Sequence, residues 1–136
     1  MGSVVNSERL PNIVHLAIGT QAATITLPGP YVRKHSRLKY AHIIDQAGLV
    51  TGNTNYVTFS LQDLAANVYA TYDTRAAGQG ALVANTAGQM VDTSVSDSAS
   101  QPEVDIPAGT QLVLVVTAGG TVTTTKAICQ LELYPL

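Results

Sequence analysis

Thr110-Gln111-Leu112-Val113-Leu114-Val115-Val116-Thr117-Ala118-Gly119-Gly120 is the run that decides the fold of this chain. Leu112, Val113, Leu114, Val115 and Val116 are apolar without a break, so both faces of an extended strand ask for burial. β-Branched residues are stiff in a helix and pack well on a pleated surface, which favours strand over helix. The strand is expected at the centre of a sheet or against a partner. Ile106-Pro107-Ala108-Gly109 reads as the turn that leads into it. Gly119-Gly120 matches a two-residue hairpin turn, from which residues 121–133 are expected to return. There Ala127, Cys129, Leu131 and Leu133 fall on one face and Lys126, Gln130 and Glu132 on the other.

Outward from this run the dominant period is two, the period of a strand whose successive side chains point to opposite faces. Val14, Leu16 and Ile18 alternate with Ile13, His15 and Ala17, and Ala23, Ile25 and Leu27 alternate with Thr24 and Thr26. Pro28-Gly29-Pro30 is expected to stop that second strand, because proline removes a ladder donor. In residues 37–45, Leu38, Tyr40, His42 and Ile44 alternate with Arg37, Lys39, Ala41 and Ile43. Val57, Phe59 and Leu61 should face inward and Tyr56, Thr58 and Ser60 outward. Val68, Ala70 and Tyr72 should stand opposite Tyr69 and Thr71, after a hairpin or single helical turn at Asp63-Leu64-Ala65-Ala66. Residues 81–84 and 89–95 could be short strands, and residues 92–101 read as a long loop. About eight short strands with Gly- and Pro-rich turns imply an all-β, antiparallel two-sheet sandwich, jelly-roll-like, with an immunoglobulin-like sandwich as the alternative. Residues 1–11 read as an extended arm and 12–136 as the sandwich domain.

The chain has 136 residues, one ordinary domain. Charged residues make up 12 %, about half the usual share of roughly 25 %. A surface so poor in charge is expected to meet partners. The net charge of −2 argues against general nucleic-acid binding. Arg33, Lys34, Arg37 and Lys39 concentrate the basic residues, while the stretch from residue 73 onward is acidic. One molecule thus carries a basic spot and an acidic half, as expected of a part that meets copies of itself or another lattice protein. Cys129 is the single cysteine, so no intrachain disulfide is possible. Neither a signal peptide nor an apolar run long enough to span a membrane is read from the sequence.

No catalytic set, metal site or cofactor is expected. A Gly-x-Ser-x-Gly elbow and a phosphate-binding loop are both absent from the sequence. Cys129 lies on an apolar strand face, where a thiol stays protonated. His15 and His42 could meet across a sheet, but no third ligand stands at metal spacing. Glu103 and Asp105, with Asp92 and Asp97 near, could hold Ca²⁺, pair with a neighbour's cations or simply be solvated. The strongest polar signal is Arg33, Lys34, His35, Arg37 and Lys39, a candidate partner-binding set. Its target could be an acidic protein surface, solvent or nucleic acid.

Gly52-Asn53-Thr54-Asn55-Tyr56-Val57-Thr58-Phe59-Ser60-Leu61, an Asn-Tyr entry into an alternating strand, resembles small jelly-roll proteins of tailed-bacteriophage heads. The Ile106-Pro107-Ala108-Gly109-Thr110 turn, the Thr-rich hairpin expected at 117–125 and the ending on a strand at 130–136 are similar to those proteins too. The resemblance implies a capsid decoration, or cement, protein. It would be assembled in the host cytoplasm and carried on the virion exterior. Such a protein would self-associate as a dimer or trimer and bridge neighbouring major capsid subunits. Membrane and nucleic acid are not expected partners. The alternative is a receptor- or carbohydrate-binding fibre domain that reads sugars with residues such as Tyr56 and Asn53.

Overall fold

A computed structural model describes residues 10–19, 24–49, 55–92, 102–119 and 126–136. These residues contain no helix. Nine strands form two antiparallel sheets: β1 (Asn12–Ile18), β2 (Ile25–Val32), β3 (Ser36–Asp45), β4 (Tyr56–Asp63), β5 (Val68–Asp73), β6 (Gly88–Gln89), β7 (Val104–Ile106), β8 (Thr110–Gly119) and β9 (Ala127–Pro135). The first sheet runs β1-β9-β3-β6, with β7 also on the far edge of β3, and the second runs β2-β8-β4-β5. The pairs β1:β9, β2:β8, β3 with β6 and β7, and β4:β5 are the rungs of one long hairpin. The pairs β3:β9 and β4:β8 appear when that hairpin is rolled over on itself. This is a jelly roll.

The expected hairpin through Gly119-Gly120 does not form, because β8 and β9 lie in different sheets. Gly119 is the last residue of β8, opposite Tyr56. A Cβ there would meet ring atoms of Tyr56 at 2.5–2.9 Å, so the glycine answers a close approach and not a turn. Gly109 does serve a turn, at φ +86°, where its N–H donates to Val32 O at 2.7 Å. The expected return through Thr123-Thr124-Thr125 and most of the loop 92–101 fall outside the described residues, as do arm residues 1–9.

The two-sided run is a central strand. Leu112, Leu114 and Val116 of β8 are fully buried. Their rungs continue across the sheet as Leu27-Leu114-Leu61-Ala70 and Ile25-Val116-Phe59-Tyr72. Phe59 and Tyr72 meet edge to face, with centroids 6.5 Å apart. Val57, Phe59 and Leu61 point inward as the alternation requires. From the first sheet, Leu38, Ala41, Ile43, Cys129, Leu131 and Leu133 close the core. Each fully buried large side chain contributes about 1.5–3 kcal/mol of transfer free energy.

Register shifts explain where period two fails. Pro28-Gly29-Pro30 does not end β2 but bulges it: Pro28 pairs Val113, Tyr31 pairs Gln111, and one residue of β8 faces two of β2. Gln111 Nε2 fills the bulge, donating to Gly29 O at 2.8 Å and Leu112 O at 2.9 Å. Proline is tolerated because β2 is an edge strand. In β3 a shift between Leu38 and Tyr40 moves the phase, so Leu38 is followed inward by Ala41 and Ile43, not by Tyr40, His42 and Ile44. The β4–β5 connection is a hairpin. The Asp63 carboxylate accepts N–H bonds from Ala65 and Asn67 and side-chain bonds from Asn67 and Tyr69, at 2.9–3.1 Å. Of the two short strands expected beyond residue 80, the first leaves only a bridge from Leu82 to Leu49, and of the second the described residues form β6 and a bridge at Val91.

Candidate functional site

The strands place five connections or chain ends at one end of the sandwich. They are the approach to β1, the β2–β3 loop, the β4–β5 hairpin, the β7–β8 turn and the residue after β9. The β2–β3 loop holds Arg33, Lys34 and His35, all exposed. Its backbone is pinned from several sides. Ser36 Oγ donates to Lys34 O at 2.7 Å, Leu136 N–H to His35 O at 2.8 Å, and Gly109 N–H to Val32 O.

A groove of about 530 Å³ opens beside this loop. Its lining is mixed: Leu10, Pro30, Tyr31, Leu133 and Pro135 share it with Asn12, Arg33, Lys34 and Ser36. Neither cation has an ion-pair partner among the described residues. A surface of this make-up suits an extended segment with apolar side chains and a nearby carboxylate.

The five candidate residues differ in their contacts. Arg37 Nε donates to Asp105 Oδ1 at 2.8 Å, and His35 Nε2 lies 3.9 Å from Asp105 Oδ2. The hydrogen bond from Arg37 holds the Asp105 carboxyl below the usual carboxylate range, and the same bond raises Arg37. Lys39 sits over the Tyr134 ring, 5.4 Å from its centroid. Arg37 and Lys39 thus make contacts within the chain, whereas Arg33 and Lys34 make no ion pair among the described residues.

The other sequence candidates separate. His15 and His42 share the outer face of the first sheet but do not meet, because Gln130 of β9 stands between them in the row His15-Gln130-His42-Gln89. Two strand spacings put them roughly 10 Å apart. No group of three metal-ligating side chains occurs among the described residues. Asp105, one of the possible calcium ligands, is taken by Arg37, and Asp97 lies outside the described residues. Tyr56, expected as an exposed sugar platform, is half-buried with the Arg75 guanidinium 4.2 Å over its ring. Arg75 is in turn bound to Asp73 through Nε and Nη2 at 2.7–3.0 Å. Asn53 lies outside the described residues. Burial pushes the Cys129 thiol up to about 12, and its Sγ faces Met90 Sδ at 3.9 Å.

The apolar wall of the groove escaped the sequence reading because its residues come from three separated segments. Only Pro30 and Tyr31, next to the basic run, gave a local signal.

No family model matches the chain, and no curated protein sequence matches it.

Proposed function

We propose that this chain is a non-enzymatic assembly protein that decorates the outside of a tailed-bacteriophage head. It bridges neighbouring major capsid subunits as a dimer or trimer, and its Arg33–Lys34 rim docks against an acidic capsid segment. The observation that carries the reading is the pair of cations, without ion-pair partners among the described residues, in a groove of mixed polar and apolar lining on a loop held by neighbouring backbone. A fixed loop loses little conformational freedom on binding. The low charge of the whole chain supports the same reading, and so does the resemblance carried by residues 52–61 and 106–110. Jelly rolls also serve lectins and cupins, so the fold alone does not choose among these roles. A lattice of identical sites would let modest single contacts add up to a strong hold.

The test uses heads of the encoding phage produced without this chain. Purified protein should bind them up to a fixed number of lattice sites, with affinity falling as salt rises. Arg33→Glu with Lys34→Glu should weaken binding at least tenfold while leaving circular dichroism and melting unchanged. Equal binding by the double variant, or no saturable binding by the wild type, would sink the proposal.

A further inference from the structure

A two-sheet sandwich that does not close exposes four edges, each with spare N–H and C=O groups that invite another strand. Three of them are blunted here. β2 carries Pro28, Pro30 and a bulge. The far edge of β3 is covered by β6 and β7, only two and three residues long. β5 is bridged through Thr71 to Val91, each N–H donating to the other's carbonyl at 2.9 Å. β1 has none of these devices. Its seven residues pair with β9 without a register shift and include no proline and no charge. Among the described residues nothing pairs with its outer edge.

The same flank leaves the core incompletely covered. Val14 and Leu16 of β1 and Ile25 and Leu27 of β2 point at the core yet are only partly buried. The opposite flank is sealed by Leu49, Leu82 and Met90. On the outer face of β1, Ile13 is 53 % exposed.

We infer that β1 is the joint between two copies of this chain, its free edge pairing antiparallel with β1 of the second copy across a twofold axis. The two first sheets then run on as one. The strand is suited to itself. Centred on His15, antiparallel pairing sets Ile13 opposite Ala17 and Val14 opposite Leu16, apolar on apolar on both faces, with His15 opposite its own copy and no Asp, Glu, Lys or Arg in the strand. A flank about 23 Å long and about 20 Å thick buries roughly 1,000 Å² over both copies, the lower bound for a specific interface. The joint deepens the self-association in the function proposed above but needs no capsid.

Sedimentation of the purified chain tests it, with Ile13→Lys, Ala17→Glu and the two combined. The wild type should be a reversible dimer. Each single variant sets a charge against an apolar side chain and should weaken the dimer at least tenfold. The combined variant sets the introduced lysine of each copy against the introduced glutamate of the other, at both symmetric positions, and should recover most of the loss. Circular dichroism should be unchanged in all three, because both positions are exposed on the outer face, and so should melting at concentrations low enough for every chain to be monomeric. A monomeric or trimeric wild type, a dimer indifferent to the single changes, or no recovery in the combination overturns the inference. The Arg33→Glu, Lys34→Glu chain separates the two proposals: it should lose the heads and keep the dimer.

Discussion

Leu114→Ala should cost about 4 kcal/mol, while Val115→Ala, one residue along the same strand, should cost about 1 kcal/mol or less. Leu114 is fully buried at the centre of β8, between Leu27 and Leu61 in its own sheet and under the opposite sheet. Removing three carbons forfeits about 2.4 kcal/mol of transfer free energy. Both sheets are held by their ladders and cannot collapse into the gap, so a cavity term of about 1–2 kcal/mol remains. Val115 points to the outer face, where it is half-buried beside Thr26 and Ser60, and its truncation leaves an open surface, not a cavity. For a domain of this size the Leu114 change should lower the melting temperature by about 10–15 °C and the Val115 change by about 4 °C at most. Urea titration followed by circular dichroism gives both costs with one slope. Equal losses for the two variants, or a Leu114 cost below about 1 kcal/mol, would mean that the strand's faces are assigned wrongly.

The carboxyls of Asp63, Asp73 and Asp105 are all held below the usual range, by hydrogen bonds from the Asn67, Arg75 and Arg37 side chains respectively. Their contribution is therefore complete above the ordinary carboxylate range and is lost as pH falls through the lower folded values. The urea midpoint should hold above about pH 5 and drop below about pH 4, and Asp63→Asn should lower the midpoint at neutral pH and flatten the acid fall. Ala66 adopts φ +66° in the β4–β5 hairpin, so Ala66→Gly should stabilise by about 1 kcal/mol in the same titration. Cys129 is fully buried with its thiol raised to about 12. A thiol reagent should modify it only as fast as the chain opens, and rapid labelling of the native protein would contradict the packing described.

Much of the architecture was legible locally. The unbroken apolar run in β8 marked a central strand, and the alternation in β4 and β9 assigned each residue to its face, because burial of one face imposes a period of two. The errors fall where a single residue changes the phase. The extra residue in β3 near Lys39 turns Tyr40 and His42 outward, and the Pro28-Gly29-Pro30 bulge lets β2 continue. Neither is visible without the partner strand that sets the register. The basic run was found as a sequence cluster, yet which of its cations are engaged within the chain depends on Asp105 and Tyr134, which are remote in the chain.

By itself the sequence determined that this is an all-β chain with one core, one buried thiol and a basic loop, because these follow from side-chain chemistry and short-range period. Only the tertiary structure decided that β8 and β9 part into different sheets, that Arg33 and Lys34 line a groove, and that nothing among the described residues pairs with the outer edge of β1. Those outcomes depend on pairings between distant segments, whose register is set by the rolling of one long hairpin and not by any local preference.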